Sequence, residues 1–451
     1  MRTHSCVIAP HLKAPLAHDA PGGKYGRMFP RLPALKIDED VLHALGRGGA
    51  LAQPGTAAAD PEDDNPRIPA GFAILGQFIA HDLTRDPSLL HHHARLGELR
   101  NFRAPRLDLE VVYGAGPLAN PYFFDLRDPD KFLIGINDAG QPSDVPRNAQ
   151  GQALIADSRN DVHMIISQLH LAFLKFHNRI VDELRAQAAP GETLFDEARR
   201  VATWHYQWIV VHEFLPLTVG EDLVAEILHR GRSAYVFKGA PRIPVEFADA
   251  AYRFGHPQIR ETYRLNDRTE GVRIFPDLAG TRPVPAAYAV DWKHFFNIPG
   301  QPPAQPSRRI RASLAAALSS LPEAIVGKTD VPEERSLAYR DLERGISCAL
   351  PSGESIARAL GLTPVSAEAL GLQALGWAGE TPLWYYVLQE ASVQAGGEHL
   401  GDVGGRIVAE VLIGLLQADP AAYQNVSPDW RPTLPASREG EFTMADLLEL
   451  A

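Results

Sequence analysis

The sequence predicts a mainly α protein built as one large helical domain with few short strands and long loops. Three observations carry this. Long stretches place apolar residues three and four apart, the helical period. Strand-like alternation is scarce. No repeat or compositional break divides the 451 residues, which are ample for a sizeable core.

Taken in order, residues 1–65 are rich in Pro, Gly, Ala and charge and read as an extended N-terminal arm; residues 66–451 read as the domain proper. Within "AILGQFIAHDLTRDPS" (73–88) a helix sets Gln77 and His81 one turn apart beside Phe78, on a face that is normally all core. From Asp161 to Gln187, Val162, Ile165, Ile166, Leu169, Phe173, Phe176, Ile180 and Leu184 mark a long buried helix, which Pro190 and Gly191 end. Thr193 and Asp196 form a capping-box pair before "LFDEARRVATWHYQWIVVHEFLPL", a helix broken at Pro216. Ser352 to Gly361 carries a start cap and a glycine stop, and Val403 to Leu416 is a further apolar helix. "DLEVVYG" (108–114) and "RSAYVFKG" (232–239) are the best strand candidates, and "GQPPAQPS" (300–307) is a Pro-rich surface connection.

The formal net charge of −11, with both signs interspersed, leaves no basic stripe for nucleic acid. Two distant cysteines, Cys6 and Cys348, exclude a disulfide framework and a multi-cysteine zinc site. No apolar leader or membrane-length run is visible, so the expectation is a soluble, cytoplasmic chain of unspecified oligomeric state.

Polar residues interrupt the apolar pattern at four places. These are Gln77, His81 and Asp82; Asp157 and Arg159 ahead of a helix carrying His170 and His177; Arg253 and His256 around "FG"; and Asp341 with Arg344. Each has a bland reading as a cap, a solvated arginine or a satisfied core histidine, and that reading holds for His170, His177 and the run His91 to His93. Together they suit a large anionic cofactor better than a zinc ion. Haem needs one axial imidazole, arginines for its propionates and an acid-base pair over the open face of the iron.

On these residues the sequence resembles the animal-type haem peroxidases, of the superfamily that also holds cyclooxygenases and fatty-acid dioxygenases. Gln77, His81 and Asp82 match the distal helix motif; Asp157 and Arg159 ahead of "FHNR" match the distal arginine element; "RFGH" (253–256) matches the proximal element; "PRLDLEVVYG" resembles the calcium loop. "GRMFPRLP" and the segments from "TPLWYYVLQEA" to "FTMADLLELA" look like the bacterial branch.

The resemblance implies a peroxidase that reduces hydrogen peroxide through a ferryl intermediate. His256 would bind the iron, backed by Asp341 where the family usually has Asn, and Arg253 and Arg344 would pair with propionates. His81 would serve as general base and then acid, Arg159 would stabilise developing charge and Gln77 would hydrogen-bond peroxide, halide or water. Ala80 and Val162 replace the carboxylates that esterify haem in mammalian members, and His163 replaces a neighbouring Met, so haem b is expected without covalent links. Phenols, iodide or bromide are then expected donors rather than chloride. A calcium ion is expected at Asp82, Asp108 and Glu110 with backbone oxygen from Arg106 and the Ala104 position. The competing readings are a fatty-acid dioxygenase, whose tyrosine position is here Arg253 with Tyr252 one residue further off, a peroxide-using tailoring oxidase of a secondary metabolite, and a haem-binding or structural scaffold without peroxidase turnover.

Overall fold

The computed structural model describes residues 23, 25–46, 61–86, 99–187 and 194–451. His91 to His93, Thr193 and Cys6 lie outside them. Helices dominate. The Gly71–Leu83 helix crosses the Met164–Ala186 helix, which packs on Leu194–Ile209. Phe78 of the first stacks on Phe173 of the second at 4.4 Å, with Tyr206 of the third edge-on at 6.3 Å. Leu383–Ala395 and Asp402–Ala418 pack together behind the Ala251–Gly255 turn. Only glycine fits at position 71, because a Cβ there would meet the Phe295 carbonyl oxygen at 2.6 Å. That close approach sets the depth at which the first helix enters the core.

Among the described residues the strands are short. Asp64–Pro69 pairs antiparallel with Pro306–Arg308, and Thr262–Tyr263 with Val272–Arg273. Residues 25–46 carry Tyr25, Met28, Leu42 and Leu45 into the same core as the rest of the chain.

Both strand expectations fail. Residues 110–113 form a helical turn in which Val111, Val112 and Tyr113 are all buried, so burial is contiguous rather than alternating. Residues 232–239 lack a partner strand because the buried Glu410 carboxylate accepts from the backbone amides of Ser233, Ala234 and Tyr235. Pro216 does not end the helix. The helix widens into a π turn at Val210–Phe214, which accommodates the missing proline N–H, and continues as Leu215–Val219. The start cap at Ser352 is present, its hydroxyl accepting from the Ser355 amide at 3.1 Å. Among the described residues no helix is long and apolar enough to cross a membrane.

Candidate active site

A largely apolar cavity, about 1460 Å³ of empty space including its mouth, lies between the Gly71–Leu83 helix and the segment that carries His256. Gln77, His81, Arg159, His256, Arg253 and Arg344 all line it, so residues spread over 268 positions of sequence share one space.

On one wall, His81 lies in the last turn of its helix, 7% exposed. Its Nδ1 is 2.7 Å from Asn160 Oδ1, and the Asn160 amide nitrogen is 2.9 Å from His170 Nδ1. With the amide oxygen toward His81, the proton sits on Nδ1 and Nε2 keeps its lone pair. Burial, and then the Arg159 charge, push the His81 pKa down to about 3, so the ring is a neutral base at ordinary pH.

Arg159 is held from two sides. Its backbone amide, Nε and Nη2 donate to Asp157 at 3.0, 3.0 and 2.8 Å, and Nη2 also donates to the His81 carbonyl at 2.9 Å. Asp157 is fully buried and caps the Ser158–Asp161 turn. Although burial pushes its carboxyl up, the Arg159 and Arg103 guanidiniums hold it well below the usual range. The sequence reading missed Arg103, whose Nη2 donates to Asp157 at 2.6 Å and whose Nη1 donates to Glu110 at 2.9 Å.

On the facing wall, the Ala251–Gly255 turn delivers His256, whose side chain is 23% exposed. The Trp384 indole donates to the Arg253 carbonyl at 3.3 Å and pins this turn to the Leu383–Ala395 helix. His256 Nδ1 donates to Asp341 Oδ2 at 2.5 Å, and Arg253 Nη1 donates to Asp341 Oδ1 at 2.9 Å. Asp341 is fully buried on the Leu337–Ser347 helix. Arg344, on that same helix, donates from Nε to Asp249 at 2.8 Å and pairs with Asp86. Both arginines expected at propionates thus have carboxylate partners of the protein's own. Neither Asp86 nor Asp249 stands out in the hydrophobic pattern.

The calcium expectation fares unevenly. Asp82 is fully buried and accepts from the Leu109 and Val111 amides at 3.1 Å each, with Leu109 held at φ 57°. Burial, then the charge of Asp108, push its carboxyl well above the usual range; Asp108 is pushed to about 6 by burial and then by Glu110. Glu110 accepts from Arg103 Nη1 at 2.9 Å and from the Ala104 amide at 3.1 Å. Arg106 reaches toward Asp419 at 3.8 Å. Among the described residues, the one grouping of three metal-competent side chains is Asp267, Asp291 and His294, where the Lys293 ammonium already pairs with both aspartates.

His177 is structural as expected, held by the Tyr113 hydroxyl at 3.0 Å and the Asp130 carbonyl at 2.8 Å. His170 is closer to the site than its spacing suggested, because it orients Asn160.

The donor set fits haem at its iron. Three histidines, His81, His163 and His256, line the cavity, the last backed by a buried carboxylate, and the cavity-lining Ala80 and Val162 offer no group for an ester.

Residues 91–281 match the family described as animal haem peroxidase. The chain is 26% identical over 328 residues to the chorion peroxidase of Drosophila melanogaster, covering 67% of this chain and 39% of that protein. It is 33% identical over 129 residues to human lactoperoxidase, covering 28% of this chain and 18% of that one. It therefore spans well under half the length of these relatives. Its fold resembles peroxidase A of Dictyostelium discoideum, with a TM-score of 0.65, 15% identity and coverage of 89% and 88% of the two chains. The Oryza sativa fatty acid alpha-dioxygenase shares the fold at a TM-score of 0.59 and 14% identity, covering 89% of this chain and 76% of that one. At such identities the structural likeness speaks for fold alone. The sequence matches liken residues 91–281 to the animal haem peroxidase family, and the helical fold is the one seen in peroxidase structures.

Proposed function

We propose that the cavity binds haem b without covalent links and that the chain uses it to reduce hydrogen peroxide while oxidising small phenolic or aromatic donors, iodide or bromide. The observation that carries this reading is the pairing, across one cavity, of His256 backed by Asp341 with His81 beside Arg159. The bacterial-branch resemblance of the chain's end segments belongs to the same proposal.

His256 would hold the iron, and bound haem supplies the redox centre. The Asp341 carboxylate takes the Nδ1 proton's hydrogen bond, which fixes the ring and raises the basicity of Nε2. His81, neutral with its Nε2 lone pair, removes a proton from peroxide and returns it to the departing oxygen. Arg159, locked by Asp157, stands ready for the charge that develops as the O–O bond breaks. Arg253 and Arg344, which line the cavity, would pair with the propionates while sharing their charge with Asp341, Asp249 and Asp86. A calcium ion beside the buried carboxylates Asp82 and Asp108 is part of this proposal, with Glu110 left to Arg103.

One observation favours a second reading, a lipid dioxygenase. Tyr252 lines the cavity, and its hydroxyl is buried without a hydrogen-bond partner in the structure. The two readings separate in one experiment: absorption spectra of the haem-loaded protein during stopped-flow addition of peroxide. Rapid change of the Soret band, reversed faster by a phenol, supports the peroxidase. A band indifferent to phenol, with oxygen uptake on a fatty acid that Tyr252→Phe abolishes, supports the dioxygenase.

A further inference from the structure

His163 begins the Met164–Ala186 helix as its N-cap, with φ −142° and ψ 156°. Its Nδ1 accepts the Ile166 backbone amide at 3.2 Å. A backbone amide can only donate, so Nδ1 is unprotonated and the ring proton is on Nε2. That nitrogen lies 2.9 Å from Gln77 Oε1. The Gln77 oxygen is therefore the acceptor in this contact. Its NH2 group is the end left to serve the cavity, which Gln77 and His163 both line. The polarity of this chain, from backbone amide to imidazole to carboxamide, is fixed by its first link and admits no flipped alternative. Burial pushes the His163 pKa down to about 3, so the ring does not reverse its polarity by protonation at ordinary pH.

We propose that His163 is a positioning residue that locks Gln77 as a hydrogen-bond donor, so that this wall of the cavity selects ligands that accept there, anions and lone-pair oxygens. The inference deepens the haem reading and rests on it for the ligand, but not for the tautomer. His163→Ser keeps an N-cap for Ile166 and removes the lock, so it separates positioning from folding.

The test has two arms. Optical titration of the ferric holoprotein with fluoride gives affinities for the parent, His163→Ser, Gln77→Leu and the double variant. Each single change weakens fluoride about tenfold, the worth of one hydrogen bond to a charged acceptor, and the double variant is no weaker than either. Parent-like affinity in His163→Ser overturns the proposal, as does full additivity in the double variant. In the second arm, 15N NMR of histidine-labelled protein, assigned by the missing signals of His163→Ser, reads the tautomer with or without haem. An Nε2–H ring unchanged between pH 8 and 5 is expected, and an Nδ1–H ring refutes the lock. A protein that takes up no haem overturns the haem reading, and the second arm still decides on His163.

Discussion

Replacing Arg103 with Met tests whether the distal wall is held by a buried ion network. The Arg103 side chain is 4% exposed and bridges Asp157, fully buried, and Glu110, 22% exposed. The change removes two hydrogen bonds to carboxylates, each worth about 1.5–3 kcal/mol. Asp157 keeps Arg159 at 2.8 Å and Glu110 keeps the Ala104 amide, so neither carboxylate is orphaned. The Glu110 bond is partly screened by solvent and counts at the low end. The expected loss is about 3–4 kcal/mol, in line with breaking a buried pair from one side. For 451 residues, an unfolding entropy of about 2.1 cal/mol/K per residue gives roughly 0.95 kcal/mol/K, so Tm falls about 3–4 °C. Calorimetry of the parent, Arg103→Met and Arg103→Lys reads it, with the lysine variant in between because it keeps charge and loses the fork. A methionine variant within about 1 °C of the parent would refute the reasoning, since the network would then contribute nothing beyond packing.

Other outcomes follow from the same geometry. His256→Ala should lose haem, whereas His81→Ala should retain it and react with peroxide about 10²- to 10⁴-fold more slowly; equal haem content and equal rates in both would end the assignment. Because the His81 pKa is lowered from 6.5 to about 3, its base form persists as pH falls, and the peroxide rate constant should stay level from pH 8 to 5. A fall centred near pH 6.5 in a stopped-flow profile would show an imidazole that is not buried beside Arg159. Asp341→Leu removes the acceptor of both His256 and Arg253, and urea titration should show a loss of about 3–5 kcal/mol. Dialysis against EGTA, followed by elemental analysis, should remove one calcium and lower Tm; a metal-free parent of unchanged Tm would leave the 104–110 loop to Arg103 alone.

The amino-acid sequence by itself determined the helical class and the identities of the residues that meet in the cavity. Apolar residues at helical spacing have one way to bury a common face, and Gln77, His81, Arg159 and His256 stand out because polar groups interrupt it. What the sequence could not determine were partners distant along the chain. Asp86 and Asp249 around Arg344, Arg103 behind Asp157, and the links from His81 through Asn160 to His170 are contacts between segments, and periodicity carries no information about them. The strand expectations failed for the same reason. β-branched and aromatic residues at 108–114 and 232–239 satisfy strand propensity, yet buried carboxylates, Asp82 and Glu410, claim amides that a sheet would need. Hydrophobic pattern is local and survives in the sequence. The choice of which carboxylate answers which amide or guanidinium is made only when packing brings them within 3 Å of each other, and there the tertiary structure decided the site.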